Sequence, residues 1–193
     1  MKEKQAEQVL DRVFEKTGLN GLAPEWRVYE ECRFDHCNLA GADLSGLVFR
    51  SCTFESCDLS LAKLAGTGLQ EVRFANCKLL GLQFSDCRKL LLRINFDRCM
   101  LKLSAFIGLE LKNTIFVDCD LQEADFTGAN MSGAEFGNCD LRQAIFFHTN
   151  LEKADFRTAF NYSLSPEANR IRKARFSISG LSGLLDIYDI ELD

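Results

Sequence analysis

The residues of this chain with the greatest chemical potential are its cysteines, and their spacing is regular. Cys32, Cys37, Cys52 and Cys57 form two Cys-x4-Cys pairs, a set of four thiolates of the kind that holds zinc. The close pair of a zinc site is ordinarily Cys-x2-Cys. Moreover, Cys37, Cys57, Cys77, Cys99, Cys119 and Cys139 each stand three residues after a Phe and two before a Leu. Thiols locked in phase with Phe and Leu read as core positions, where Cys behaves as a small hydrophobe. Disulfides between successive copies are disfavoured as well, because stacked parallel side chains aim their Cβ vectors alike while a bridge needs a dihedral of about 90°.

Other candidates for chemistry are few. His36 and His148 each follow a periodic Phe by two residues, which places them at outward corners of different faces. Ser182 lies between Gly180 and Gly183 without the Gly-x-Ser-x-Gly elbow, and phosphate-loop and dinucleotide fingerprints are missing. No catalytic residue, cofactor or metal ligand is expected, and the chain is not read as an enzyme.

The elements that position these residues are set by the repeat. Phe-x-x-Cys-x-Leu recurs every twenty residues, with one step of twenty-two between Phe74 and Phe96. Beneath it runs a five-residue period from Tyr29, with a large apolar residue at each step and a small or sulfur-bearing one two positions earlier. Ala42-Asp43-Leu44-Ser45-Gly46, Ala124-Asp125-Phe126-Thr127-Gly128 and Ala154-Asp155-Phe156 resemble the Ala-Asp/Asn-Leu-x-x pattern of the pentapeptide-repeat family, over roughly residues 29–184. The resemblance implies an all-β solenoid: a right-handed quadrilateral β-helix with four pentapeptides per coil and the central residue pointing inward.

The twenty-residue superperiod agrees, because every fourth central residue then falls in one column. The first column reads Phe34, Phe54, Phe74, Phe96, Phe116, Phe136, Phe156 and Phe176. The second is Leu39 to Leu141, then Asn161 and Leu181; the third is Leu44, Leu64, Phe84, Phe106, Phe126 and Phe146. The fourth is Phe49, Leu69, Leu91, Leu111, Met131 and Leu151.

The organisation expected from this is an N-terminal helical cap over 1–24, a β-helix of seven to eight coils over 25–184, and a non-repeat tail over 185–193. Ala6, Val9, Leu10, Val13 and Phe14 give the cap a helical stripe, with Gly18 closing it. Gly21, Pro24 and Trp26 mark the start of the array. Two extra residues near 85–95 are expected as a bulge around Arg88 and Lys89, and the coil over 161–175 is degenerate. In the tail, Leu184, Leu185, Ile187, Tyr188 and Ile190 either cover the last coil or pair with a second subunit. The resemblance points to a homodimer through this C-terminus.

Charge bounds the partners. A net charge of −5 over 193 residues argues against direct nucleic-acid binding and favours a basic partner. Met1 to Gln8 lacks the basic and apolar regions of a secretory signal, and no apolar run approaches a membrane span. Nine cysteines, an odd number, suit a reducing cytoplasm.

Function is expected on the outward columns. Acids gather at one corner as Asp35, Glu55, Asp58, Asp97, Asp118, Asp120 and Asp140, against the bases Lys78 and Arg98. Near the insertion Arg88, Lys89, Arg93, Arg98 and Lys102 give the opposite sign. Around the third face Leu61, Leu80, Met100, Leu103, Ile107, Ile145 and Phe147 occupy outward slots, a contact surface for a protein partner. The expected function is a non-enzymatic interaction module presenting a rigid rod to a macromolecule. The distant likeness to the quinolone-resistance type implies an alternative, DNA mimicry directed at DNA gyrase or topoisomerase IV. A third is a scaffold without a dedicated ligand.

Overall fold

The computed structural model describes residues 7–18 and 26–190. Eleven short strands carry the described part of the chain: β1 (Glu7–Leu10), β2 (Val13–Glu15), β3 (Trp26–Glu30), β4 (Arg33–Asp35), β5 (Val48–Arg50), β6 (Thr53–Glu55), β7 (Gly68–Gln70), β8 (Val72–Ala75), β9 (Ile94–Asp97), β10 (Ile115–Val117) and β11 (Glu135–Gly137). All pair in parallel. The first face is a seven-stranded sheet, β11-β10-β9-β8-β6-β4-β2, and the fourth a four-stranded sheet, β1-β3-β5-β7. Phe34 pairs with Phe54, and Phe54 with Phe74, so the twenty-residue step is one turn of the helix.

The second and third faces hold only isolated bridges, such as Asn38 with Asp58 and Asp125 with Ile145. At many of the repeats an Asp or Asn stands before the central residue. Its side chain accepts a hydrogen bond from the backbone N–H two residues on, as in Asp43 to Ser45, Asp120 to Gln122 and Asn130 to Ser132. Such Asx turns bend the chain into a corner at these repeats.

The interior is a stack of rings. From Phe14 to Phe176 successive first-column phenylalanines lie 4.5–5.5 Å apart. They meet the third column edge-on, as Phe96 and Phe106 do at 6.0 Å and 81°. Each fully buried Phe contributes about 2–3 kcal/mol of transfer free energy, so the column is the main support of the fold.

Four expectations are corrected. The N-terminal stretch is strand, not helix: Val9 and Phe14 are buried as the first members of the fourth and first columns, while Leu10 and Val13 point to solvent. A helix would have put all four on one stripe; residues 2–6, Gly21 and Pro24 lie outside the described residues. The first face keeps strands over about six turns where seven to eight coils are expected, and beyond β11 the ring stack carries the register on through Phe156 and Phe176. At the insertion Leu91 is exposed and Leu92 packs against the core in its place, because the extra residues turn back at Lys89–Leu92. In the degenerate coil Asn161 points outward and donates to Asp140, and the inward slot passes to Tyr162.

Candidate functional site

The thiol column lies wholly inside. Cys37, Cys57, Cys77 and Cys139 each donate through Sγ to the carbonyl of a Phe in the preceding coil, at 3.3–3.5 Å. Burial pushes the thiols of Cys52 and Cys87 up to about 12. All nine cysteines are free and buried, and among the described residues no group of His, Cys, Asp and Glu is placed to hold a metal ion. The two histidines stay apart: His36 contacts Asp35 at 2.7 Å, and the ring of His148 lies against Phe147.

The acidic corner is divided. Asp35 is paired with Arg33 at 3.2 Å and with His36. Asp97 is paired with Arg73 at 2.7 Å and Arg98 at 3.2 Å, and Glu55 accepts from Asn76. Asp58, Asp120 and Asp140 form the Asx turns of their own corners. Their bridge ladder runs Asn38, Asp58, Lys78, Met100, Asp120, Asp140, Phe160, so a cation and a Met separate the N-terminal acids from the C-terminal ones. Asp118, Asp120 and Asp140 remain together, held by Asn138 and Gln122 and, among the described residues, without a cation partner.

All seven apolar candidates are exposed, and the register divides them. Leu61, Leu80 and Leu103 cluster at the corner between the second and third faces. The Leu61 amide donates to the Leu80 carbonyl, and the Leu61 side chain lies over Gly81, where an added Cβ would come within 2.8 Å. Met100 stands on the second face, flanked by Lys78 and Asp120. Ile107, Ile145 and Phe147 lie further round on the third face, interrupted by Asp125 and Thr127. Leu61 and Leu103 are exposed by 67% and 49% and hold φ of +57° and +61°. That left-handed conformation costs a branched residue about 1 kcal/mol. Glycine takes the same conformation at Gly41 and Gly81 in this column, and Glu123 and Gln143 take it in the later coils.

The tail folds over the last coil as 3-10 turns at Ile178–Leu184 and Asp186–Tyr188. Leu164 donates to the Gly183 carbonyl, and Gly183 comes so near Tyr162 that no Cβ fits there. Leu184 packs on the core and Leu185 is half-buried, whereas Ile187, Tyr188 and Ile190 remain exposed. Tyr188 is tied to Glu167 at 3.0 Å. Beside this cap an open groove of about 500 Å³ is lined by Arg142, Asn161, Tyr162 and Ser177.

Leu90 escaped the sequence reading, and Leu91, expected in the fourth column, is exposed beside it. The signal was present, since the two-residue excess coincides with the run Leu90-Leu91-Leu92 and only one of the three is needed for the column. Among the described residues no helix is long and apolar enough to cross a membrane.

A family model for a pentapeptide repeat region matches residues 29–90 and 89–159. Among solved structures the chain is similar to a trypsin-treated variant of QnrB1, a plasmid-mediated fluoroquinolone resistance protein, at 17% identity over 97% of this chain and 98% of that one, with a TM-score of 0.55. HetL, involved in heterocyst differentiation regulation in the cyanobacterium Nostoc, is 18% identical over 89% of this chain and 86% of its own, with a TM-score of 0.38. No curated protein sequence matches. At such identities the likeness speaks for the fold alone, but the family match spans most of the coils described above, and the chain belongs to the pentapeptide-repeat family.

Proposed function

We propose that this protein is a non-catalytic interaction module whose rigid rod docks a protein partner at the corner of Leu61, Leu80 and Leu103. One observation carries the reading: Leu61 and Leu103 are exposed and also hold a left-handed backbone that glycine or asparagine would adopt more readily. Neither the core nor the corner turn gains from leucine there, whereas a partner surface would. The ring-filled interior leaves the outside of the rod as the place where a ligand is met. Leu103→Asn separates the two roles: the thermal midpoint holds or rises, and partner binding falls by about tenfold or more.

A second reading is binding to a type II topoisomerase, DNA gyrase or topoisomerase IV, through Asp118, Asp120 and Asp140. It rests on their adjacency and lack of a cation partner. The division of the acidic corner at Lys78 and Met100 weighs against a continuous imitation of duplex charge. Supercoiling assays with and without a quinolone test it; Asp118→Lys, Asp120→Lys and Asp140→Lys together abolish any effect if these acids make the contact.

A further inference from the structure

The corner joining the fourth and first faces carries one outermost residue per coil. Backbone hydrogen bonds from the amides of Asp11, Glu31, Asn113 and Lys153 to the next coil stack these residues in line. Counting coils from the N-terminal end, Asp11 and Glu31 stand first and second, and Lys153 and Lys173 eighth and ninth; in the fifth, Arg93 holds the ladder position and pairs with Glu71 at 3.2 Å, and the insertion sets Leu91 beside that pair. Asp11, Glu31, Leu91, Lys153 and Lys173 all have positive φ and are exposed. Among the described residues, none of the four charged side chains has an ion pair or hydrogen-bond partner. Leu91 is exposed by 67%, and its neighbour Leu90 by 70%.

This order is its own complement when reversed. A second copy turned end over end about an axis through the fifth coil sets Lys173 against Asp11, Lys153 against Glu31, and Leu91 against Leu91. At about 4.8 Å per coil, the charges lie roughly 14 and 19 Å to either side of the central leucines. The pattern is that of a protein interface, apolar at its centre and charged at its rim. It is also isologous, since one patch serves both partners.

We propose that this corner pairs two copies of the chain side by side and antiparallel, with Leu90 and Leu91 at the twofold axis. Such a pair leaves the Leu61–Leu103 corner free on the opposite side of each rod, and differs from an end-to-end dimer through the tail. The insertion then has a purpose that the core does not supply. Two extra residues lift leucines out of the fourth face at the midpoint of the charged line.

The test is sedimentation of the full chain across a concentration series at low and high salt. The expected result is a dimer at low salt that weakens about tenfold or more at high salt, as screened ion pairs do. Lys153→Glu with Lys173→Glu makes the corner acidic throughout, and Asp11→Lys with Glu31→Lys makes it basic throughout. Each double variant is expected to be monomeric alone, and the two are expected to pair when mixed. Leu91→Asp is expected to be monomeric in any mixture. A wild-type monomer at low salt overturns the proposal, as do charge variants that dimerise like wild type. So does a dimer lost only on truncation after Leu184, which would place the contact at the tail.

Discussion

The Sγ of Cys57 donates to the carbonyl of Phe34 at 3.3 Å, one coil earlier. Hydroxyls do the same at equivalent inward slots, Thr67 to Leu44 at 2.8 Å and Thr149 to Phe126 at 2.9 Å. The slot therefore asks for a small side chain with a donor, which Cys, Ser and Thr all supply. Cys57→Ser is expected to stay within about 1 kcal/mol of wild type, because the hydroxyl keeps that bond. Cys57→Ala is expected to lose about 1–2 kcal/mol, from a small cavity together with the missing donor. Urea unfolding of the two variants checks the order; alanine more stable than serine would contradict it.

Burial also governs thiol reactivity. With Cys52 and Cys87 held near 12, these two thiols are expected to stay unmodified by an aromatic disulfide reagent in native protein at mildly alkaline pH, and all nine should react once urea is added. A thiol pKa raised by folding contributes fully below the unfolded value of about 8.5 and less as pH rises above it. Stability is thus expected to fall on the alkaline side of that value, measured as the urea midpoint against pH.

Asp155 anchors the last coils. Hydrogen bonds from Arg157, at 2.8 Å, and the nearby charge of Arg175, also at 2.8 Å, hold its carboxyl below the ordinary value. A lowered carboxyl contributes above its unfolded pKa of about 3.9, and that contribution is lost as pH falls through the folded value. Asp155→Asn is expected to lower the thermal midpoint at neutral pH and to narrow the gap to wild type at the acid end. An equal gap at all pH values would contradict this.

Phe116 stacks on Phe96 at 5.0 Å and on Phe136 at 5.4 Å. Phe116→Ala is expected to cost about 3–5 kcal/mol, since a rod cannot collapse inward along its axis without breaking two sheet pairings. A loss under about 1 kcal/mol by denaturant titration would show that the ring column is not the main support.

The interior of this protein was legible because the five-residue period constrains every inward slot, so Phe34 to Phe176 could be placed from spacing alone. Legibility failed where two periods compete over a short stretch. Val9, Leu10, Val13 and Phe14 fit a helical stripe, but Val9 and Phe14 also fit the five-residue period, and packing on Tyr29 and Phe34 favours strand. It failed again at Asn161, where the amide prefers Asp140 and yields the inward slot to Tyr162. Of the outer surface, spacing gave exposure but not pairing. Asp35 and Asp97 looked free in a column of acids, whereas Arg33 and Arg73 meet them from neighbouring positions on the same face.

The central claim is that the leucine corner is where a partner docks. A photo-crosslinking residue placed at Leu103, and separately at Ser132 on the fourth face, tests it in cells of the source organism. A discrete heavier adduct from position 103 that disappears when Leu61→Asn is added, with none from position 132, is the predicted result. Equal labelling from both positions, or an adduct indifferent to Leu61→Asn, would contradict it.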